Sequence, residues 1–154
     1  MLNLNSKGLL IPGNNILSSV EELERVFVKS IQTNQRNQLF NNYKAYSKSL
    51  KDLCGDNSLF QWVDGSFVTR KPNPGDIDLV TFINFEVVNK FENKLTDYKF
   101  PLSKEIFGVD SYIVRLYPEN HRYHRLYLSD RLTGWIISTK LKGTELAINC
   151  KKGF

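Results

Sequence analysis

The stretch Val63–Val80, VDGSFVTRKPNPGDIDLV, constrains this chain more than any other. A β-prone run containing Leu59, Phe60, Trp62 and Val63 leads into Gly65-Ser66, and a loop with Arg70, Lys71, Pro72, Pro74 and Gly75 follows. Asp76-Ile77-Asp78-Leu79-Val80 then sets two carboxylates at the head of an apolar run. Polar and apolar residues alternating with period two mark a strand, so Asp76 and Asp78 share one face while Ile77 and Leu79 share the other. Two acids on one face repel each other. The pattern suits a hard cation such as Mg²⁺, which takes one or two carboxylates and fills its shell with water and phosphate oxygens. The plainer reading of the same spacing is a turn at Gly75-Asp76 and a wet strand edge at Asp78. Glycine lets backbone approach a ligand closely, and bare N–H groups beside a serine hydroxyl can cradle phosphate. A loop glycine with an incidental serine is the competing account of Gly65-Ser66.

Gly-Ser, nine intervening residues and Asp-x-Asp together resemble the signature of the polymerase-β-type nucleotidyltransferase superfamily. The resemblance implies an α+β (mixed α/β) fold: a small mixed sheet backed by helices on one face, with the other face open as the active cleft. It also implies a third carboxylate on a later strand, and Asp110 in Gly108-Val109-Asp110-Ser111-Tyr112-Ile113-Val114 is the position that fits. The chemistry implied is nucleotidyl transfer from a nucleoside triphosphate, dependent on Mg²⁺ or Mn²⁺. Asp76 and Asp78 would hold the metal that grips the triphosphate, and Asp110 would help to hold a second ion about 3.5–4 Å away. Ser66 and the Gly65 backbone would bind phosphates, and Arg70 or Lys71 would neutralise the leaving pyrophosphate. Minimal enzymes of this make-up modify a partner protein or an RNA end, sometimes as the antitoxin of a toxin pair. The opening, K-G-L-L-I-P-G and then S-S-V-E-E-L-E-R-V-F, is similar to the start of an uncharacterised bacterial domain family carrying the same signature. Two rival readings stand beside the enzyme. One is a catalytically inactive member of the fold that binds a nucleotide, RNA or protein. The other is an RNA-binding module using Lys44, Lys48, Lys51, Arg122 and Arg125, which has no use for Asp76 or Asp78.

With 154 residues the chain is expected to form one domain, residues 1–154, with a core of its own. A net charge of +5 is a modest attraction towards nucleotides or RNA. Cys54 and Cys150 lie far apart and match no metal or redox spacing, which fits a reducing interior. No apolar run reaches bilayer length and the start lacks the marks of a signal peptide, so the expected location is the cytoplasm, with no membrane partner.

In chain order, Ser19-Val20-Glu21-Glu22 reads as a capping box with Glu22 reaching back to Ser19, opening a helix through Leu23, Val26, Phe27 and Ile31. A second helical pattern runs from Leu39 to Leu53 and stops at Gly55. Lys44, Lys48 and Lys51 lie on its other side, a stripe read as a solvated face. Ile77–Ile83 is predicted as a strand, and Asn84 then caps a third helix through Val87, Val88, Phe91, Leu95 and Tyr98, ended by Pro101. Val109–Leu116 reads as the next strand. His121–Arg125 is predicted as a short amphipathic helix with Tyr123, Leu126 and Tyr127 buried; base stacking is the alternative use of its composition. Two histidines without further ligands argue against zinc. Trp135–Ser138 and Thr144–Asn149 are strand candidates, and Cys150–Phe154 a frayed tail. Asp64 has no role assigned beyond capping the turn.

Overall fold

The computed structural model describes residues 2–11, 16–55 and 59–125, together with the backbone of 146–149. The chain has a mixed α+β fold, as expected. Strands β1 (Asn3–Leu4) and β2 (Leu10–Ile11) form a small antiparallel ribbon. Strand β3 (Ile16–Ser18) and helix α1 (Val20–Glu24) follow, and α1 continues as a π-helical turn over Arg25–Lys29. The long helix α2 (Asn34–Cys54) leads to β4 (Phe60–Asp64), a 3₁₀ turn (Gly65–Val68) and β5 (Asp78–Asn84). Helix α3 (Phe85–Lys90), a 3₁₀ turn (Lys94–Tyr98) and helix α4 (Leu102–Phe107) connect β5 to β6 (Asp110–Leu116). Strand β7 (Leu146–Asn149) completes a five-stranded sheet of order β3-β7-β4-β5-β6. Within it β4 is antiparallel to both β5 and β7, whereas β5 is parallel to β6.

Period two decides what each face of the sheet meets. Val63, Leu79, Ile83 and Ile113 face the main core, which α2 covers with Leu39, Phe40, Tyr43, Tyr46 and Leu50. Polar groups in that layer are satisfied by one another. The Tyr43 and Ser47 hydroxyls donate to Gln61 Oε1 at 3.2 and 3.1 Å, and Gln61 Nε2 donates to Thr81 Oγ1 at 3.1 Å. Such a network fixes how α2 sits on β4 and β5, because any slip leaves buried groups unpaired. The opposite face is not the open cleft expected along its whole length. Trp62, Phe82 and Val114 are buried there with Phe60, Val80 and Leu116 packed around them, and Trp62 meets Phe82 edge-on at 4.7 Å. Among the described residues, the acids of that face stand at its end beyond this cluster.

Several helical expectations are corrected. Ser19 does cap α1, its hydroxyl accepting from the Glu22 amide at 3.3 Å. Glu22 accepts from the Leu2 amide at 2.8 Å and the Ser18 hydroxyl at 2.9 Å, tying the N-terminal strand to the helix. Helix α2 starts at Asn34, ahead of its apolar stripe, because Thr33 caps it and Arg36 in its first turn is buried. The third helix is broken. Asn84 Oδ1 accepts from the Glu86 amide at 2.8 Å as predicted, but α3 closes at Lys90, where Asn89 and Asn93 supply weak helix propensity. Pro101 precedes a further helix, α4, rather than ending a long one. Around His121, the Tyr123 side chain is 39% exposed rather than buried, while the His121 ring stacks on Tyr117 at 4.8 Å and lies against Phe85 at 4.5 Å. Leu126, Tyr127, the strand candidate Trp135–Ser138 and the tail lie outside the described residues.

Candidate active site

Three strands bring three aspartates onto one rung. Asp64 pairs with Asp78 across β4 and β5, and Asp78 pairs with Asp110 across β5 and β6. Directly opposite residues hold their Cβ atoms only about 4.5–5.5 Å apart on the same face, so these carboxylates are neighbours. Asp76 lies two residues before Asp78, ahead of the strand rather than on it. Asp76, Asp78 and Asp110 are half-buried and Asp64 is buried. Asp64, left without a role by the sequence reading, is therefore the fourth acid of the group. The signal for it was present: Asp64 alternates with Trp62 and ends a strand one connection before Asp78.

Gly65 explains why the Gly-Ser pair sits where it does. Its φ is +76°, and a Cβ placed on it would fall 1.8 Å from Asp78 Oδ2. Only glycine accepts both that backbone and that approach. The 3₁₀ turn it begins holds half-buried Ser66, whose carbonyl accepts from the Thr69 hydroxyl at 2.8 Å.

The loop beyond is clamped from inside by Arg36, which is 0% exposed. Its guanidinium donates to the carbonyls of Phe27, Phe67, Thr69 and Lys71 at 2.6–3.1 Å. Burial lowers its pKa to about 10, which leaves it charged at neutral pH. Arg70 and Lys71 are exposed, and the Arg70 amide is tied to the Gly8 carbonyl at 2.9 Å.

The cation found against the acids is one that sequence reasoning missed. Lys104 Nζ lies 2.9 Å from Asp76 Oδ2 and 3.9 Å from Asp110 Oδ2. Asp76 and Asp110 hold the Lys104 pKa above its ordinary value, the hydrogen bond to Asp76 contributing most. No spacing rule links position 104 to position 76, and only the packing of α4 beside the start of β6 unites them.

Electrostatics sets the character of the site. Burial, and then repulsion from Asp76, Asp110 and Asp64, raises the Asp78 pKa to about 7, with Lys104 pulling the other way. Asp110 is also raised, chiefly by burial. Unit charges about 4 Å apart interact by roughly 4 kcal/mol at an effective dielectric of 20, so all these acids cannot ionise cheaply without a cation.

The kind of donor, rather than its present arrangement, suits a hard divalent ion. The donors are carboxylate oxygens, the ligands Mg²⁺ and Mn²⁺ prefer, and Asp110 Oδ1 is buried with no hydrogen-bond partner. Among the described residues, no three acidic, histidine or cysteine side chains already stand in a metal-holding arrangement. Lys104 bridges two of the carboxylates instead.

The other sequence candidates fall elsewhere. Lys48 pairs with Asp52 at 2.7 Å and Lys44 lies over the Phe40 ring at 4.9 Å, as a solvated face would have it. His121 follows the far end of β6. With about 3.3 Å per residue, that end is on the order of 20 Å from the acids. No helix among the described residues is long and apolar enough to cross a membrane. No curated protein and no solved structure matches the chain. A family model does match, over residues 2–145, and the chain accordingly belongs to DUF6932, a family of unknown function.

Proposed function

We propose that this chain is a nucleotidyltransferase of the polymerase-β type, moving a nucleoside monophosphate from a nucleoside triphosphate to a protein or RNA acceptor with Mg²⁺ or Mn²⁺. One observation carries the reading: Asp64, Asp78 and Asp110 occupy one rung of three neighbouring strands with Asp76 beside them. Burying like charges together is costly, and a fold that needed only stability would place apolar residues there. Asp76, Asp78 and Asp110 would hold the metal. Bound there, a divalent ion neutralises triphosphate charge and acidifies an attacking hydroxyl. Gly65 leaves room for Asp78 and, with Ser66, faces the phosphates; Arg36 keeps their loop in one conformation. A toxin-like protein is one acceptor this reading accommodates.

A second reading has an observation of its own. The Lys104 bridge supplies a positive charge without metal, as an inactive binding protein on the same fold would need.

Incubating the protein with each labelled nucleoside triphosphate, Mn²⁺ and cell lysate separates the two. The enzyme reading predicts that wild type transfers label and that Asp78→Asn loses at least about a hundredfold, the scale of a lost charge-stabilising group. Equal labelling by both proteins would refute the assignment. Nucleotide binding indifferent to Mg²⁺ would favour the binder.

A further inference from the structure

We propose that Lys104 is a tethered counter-ion of the acid cluster, one that a divalent cation must displace, so that loading the metal and releasing the lysine are a single event. The inference rests on the functional reading only in taking Asp76, Asp78 and Asp110 as metal ligands.

The anchor and the head of Lys104 are built differently. Its neighbour Ser103 is 0% exposed; the Ser103 hydroxyl accepts from the Ser111 amide at 3.3 Å, and the Ser103 carbonyl accepts from the Val109 amide at 3.4 Å. The Lys104 carbonyl accepts from the Gly108 amide at 3.0 Å, and Gly108, with φ +69°, leaves no space for a Cβ against Asn42. The backbone that delivers the ammonium is thus fixed to the strand that carries Asp110. The Asp110 amide in turn donates to the Ile77 carbonyl, between the other two acids. The Lys104 side chain, by contrast, is 46% exposed and ends a flexible four-carbon stem. It can leave without disturbing its anchor.

Competition follows from the atoms used. Lys104 approaches Asp76 Oδ2 and Asp110 Oδ2, oxygens a metal would claim, and two cations cannot share them at contact distance. Nor does the lysine complete the cluster, since Asp110 Oδ1 stays buried and unbonded. An ion of twice the charge, accepting several oxygens at once, satisfies what the ammonium leaves over. An ordinary surface ion pair would have no bearing on metal affinity.

The test is a Mn²⁺ titration of wild type, Lys104→Ala, Lys104→Met and Asp78→Asn at low salt and pH 7.5. Free Mn²⁺ is read by electron paramagnetic resonance and folding by circular dichroism. Lys104→Met keeps the packing of the stem should Lys104→Ala disturb it. Both lysine variants are expected to bind Mn²⁺ about tenfold more tightly than wild type, the scale expected for one screened charge, and Asp78→Asn to lose binding. Unchanged or weaker binding by both lysine variants, with Asp78→Asn still defective, overturns the counter-ion and leaves the metal site standing. Saturable binding absent from wild type and both lysine variants overturns the two together.

Discussion

Asp78 sits between three other acids and Lys104, and its protonation makes a prediction of definite sign. Its pKa is about 7 in the folded chain against an ordinary 3.8. Between those values the folded protein keeps a proton that the unfolded chain releases. Its contribution to stability therefore falls as pH rises from about 4 through about 7, and is flat above. Asp78→Asn should abolish that slope and stabilise the metal-free protein at pH 8 by roughly 2–4 kcal/mol, with no gain below pH 4. Urea denaturation at pH 4, 6 and 8 checks this; equal slopes for wild type and variant would contradict it. Gly65 offers a second residue-scale prediction. Gly65→Ala must adopt a positive φ and drive its methyl into Asp78 Oδ2. It should cost about 1–3 kcal/mol and blunt any stabilisation by Mn²⁺. The need for glycine at position 65 was legible in the sequence; its cause, a carboxylate packed on the α-carbon, was not.

At the scale of elements, β4, β5, β6 and the long α2 were legible and the β5–β6 connection was not. Asp76–Val80 carries a period-two signal and Val109–Leu116 a β-branched and aromatic composition, both of which local sequence can hold, and β5 and β6 begin within a residue or two of the predicted starts. The β5–β6 connection failed as one helix because Asn89, Asn93, Thr96 and Asp97 break propensity locally. Helix α4 is six residues long, shorter than a periodicity can register. Lys104 was missed with it. Arg36 was invisible for a different reason, since a buried cation in a polar helix start reads as surface until the loop carbonyls that surround it are known. The loop it clamps provides the element-scale prediction. Arg36→Met strands the carbonyls of Phe27, Phe67, Thr69 and Lys71 and should cost about 3–5 kcal/mol. It should also quicken trypsin cleavage after Arg70 in the native protein, the Lys71 bond being blocked by Pro72. Unaltered cleavage, timed on a gel, would show that the loop holds its shape unaided.

Across the whole molecule, the sheet is divided in use. One face is sealed by α2 over a polar network. The other is apolar around Trp62, Phe82 and Val114 and turns acidic where β5 and β6 begin and β4 ends. Clustering charge at one edge concentrates its cost there, so a cation should stabilise the entire fold through that edge. Mg²⁺ or Mn²⁺ should raise the melting temperature of the wild type by several degrees. The rise should be larger at pH 8 than at pH 6, because the ion then competes less with protons for Asp78. A rise equal at both pH values, or equal in Asp78→Asn, would place the ion elsewhere. The most direct measurement is an anomalous difference map from a crystal soaked in Mn²⁺. The account predicts a manganese peak within bonding distance of Asp76, Asp78 and Asp110, with the Lys104 ammonium moved off both carboxylates. A map with no peak at these acids, and Lys104 still paired to Asp76, would contradict it.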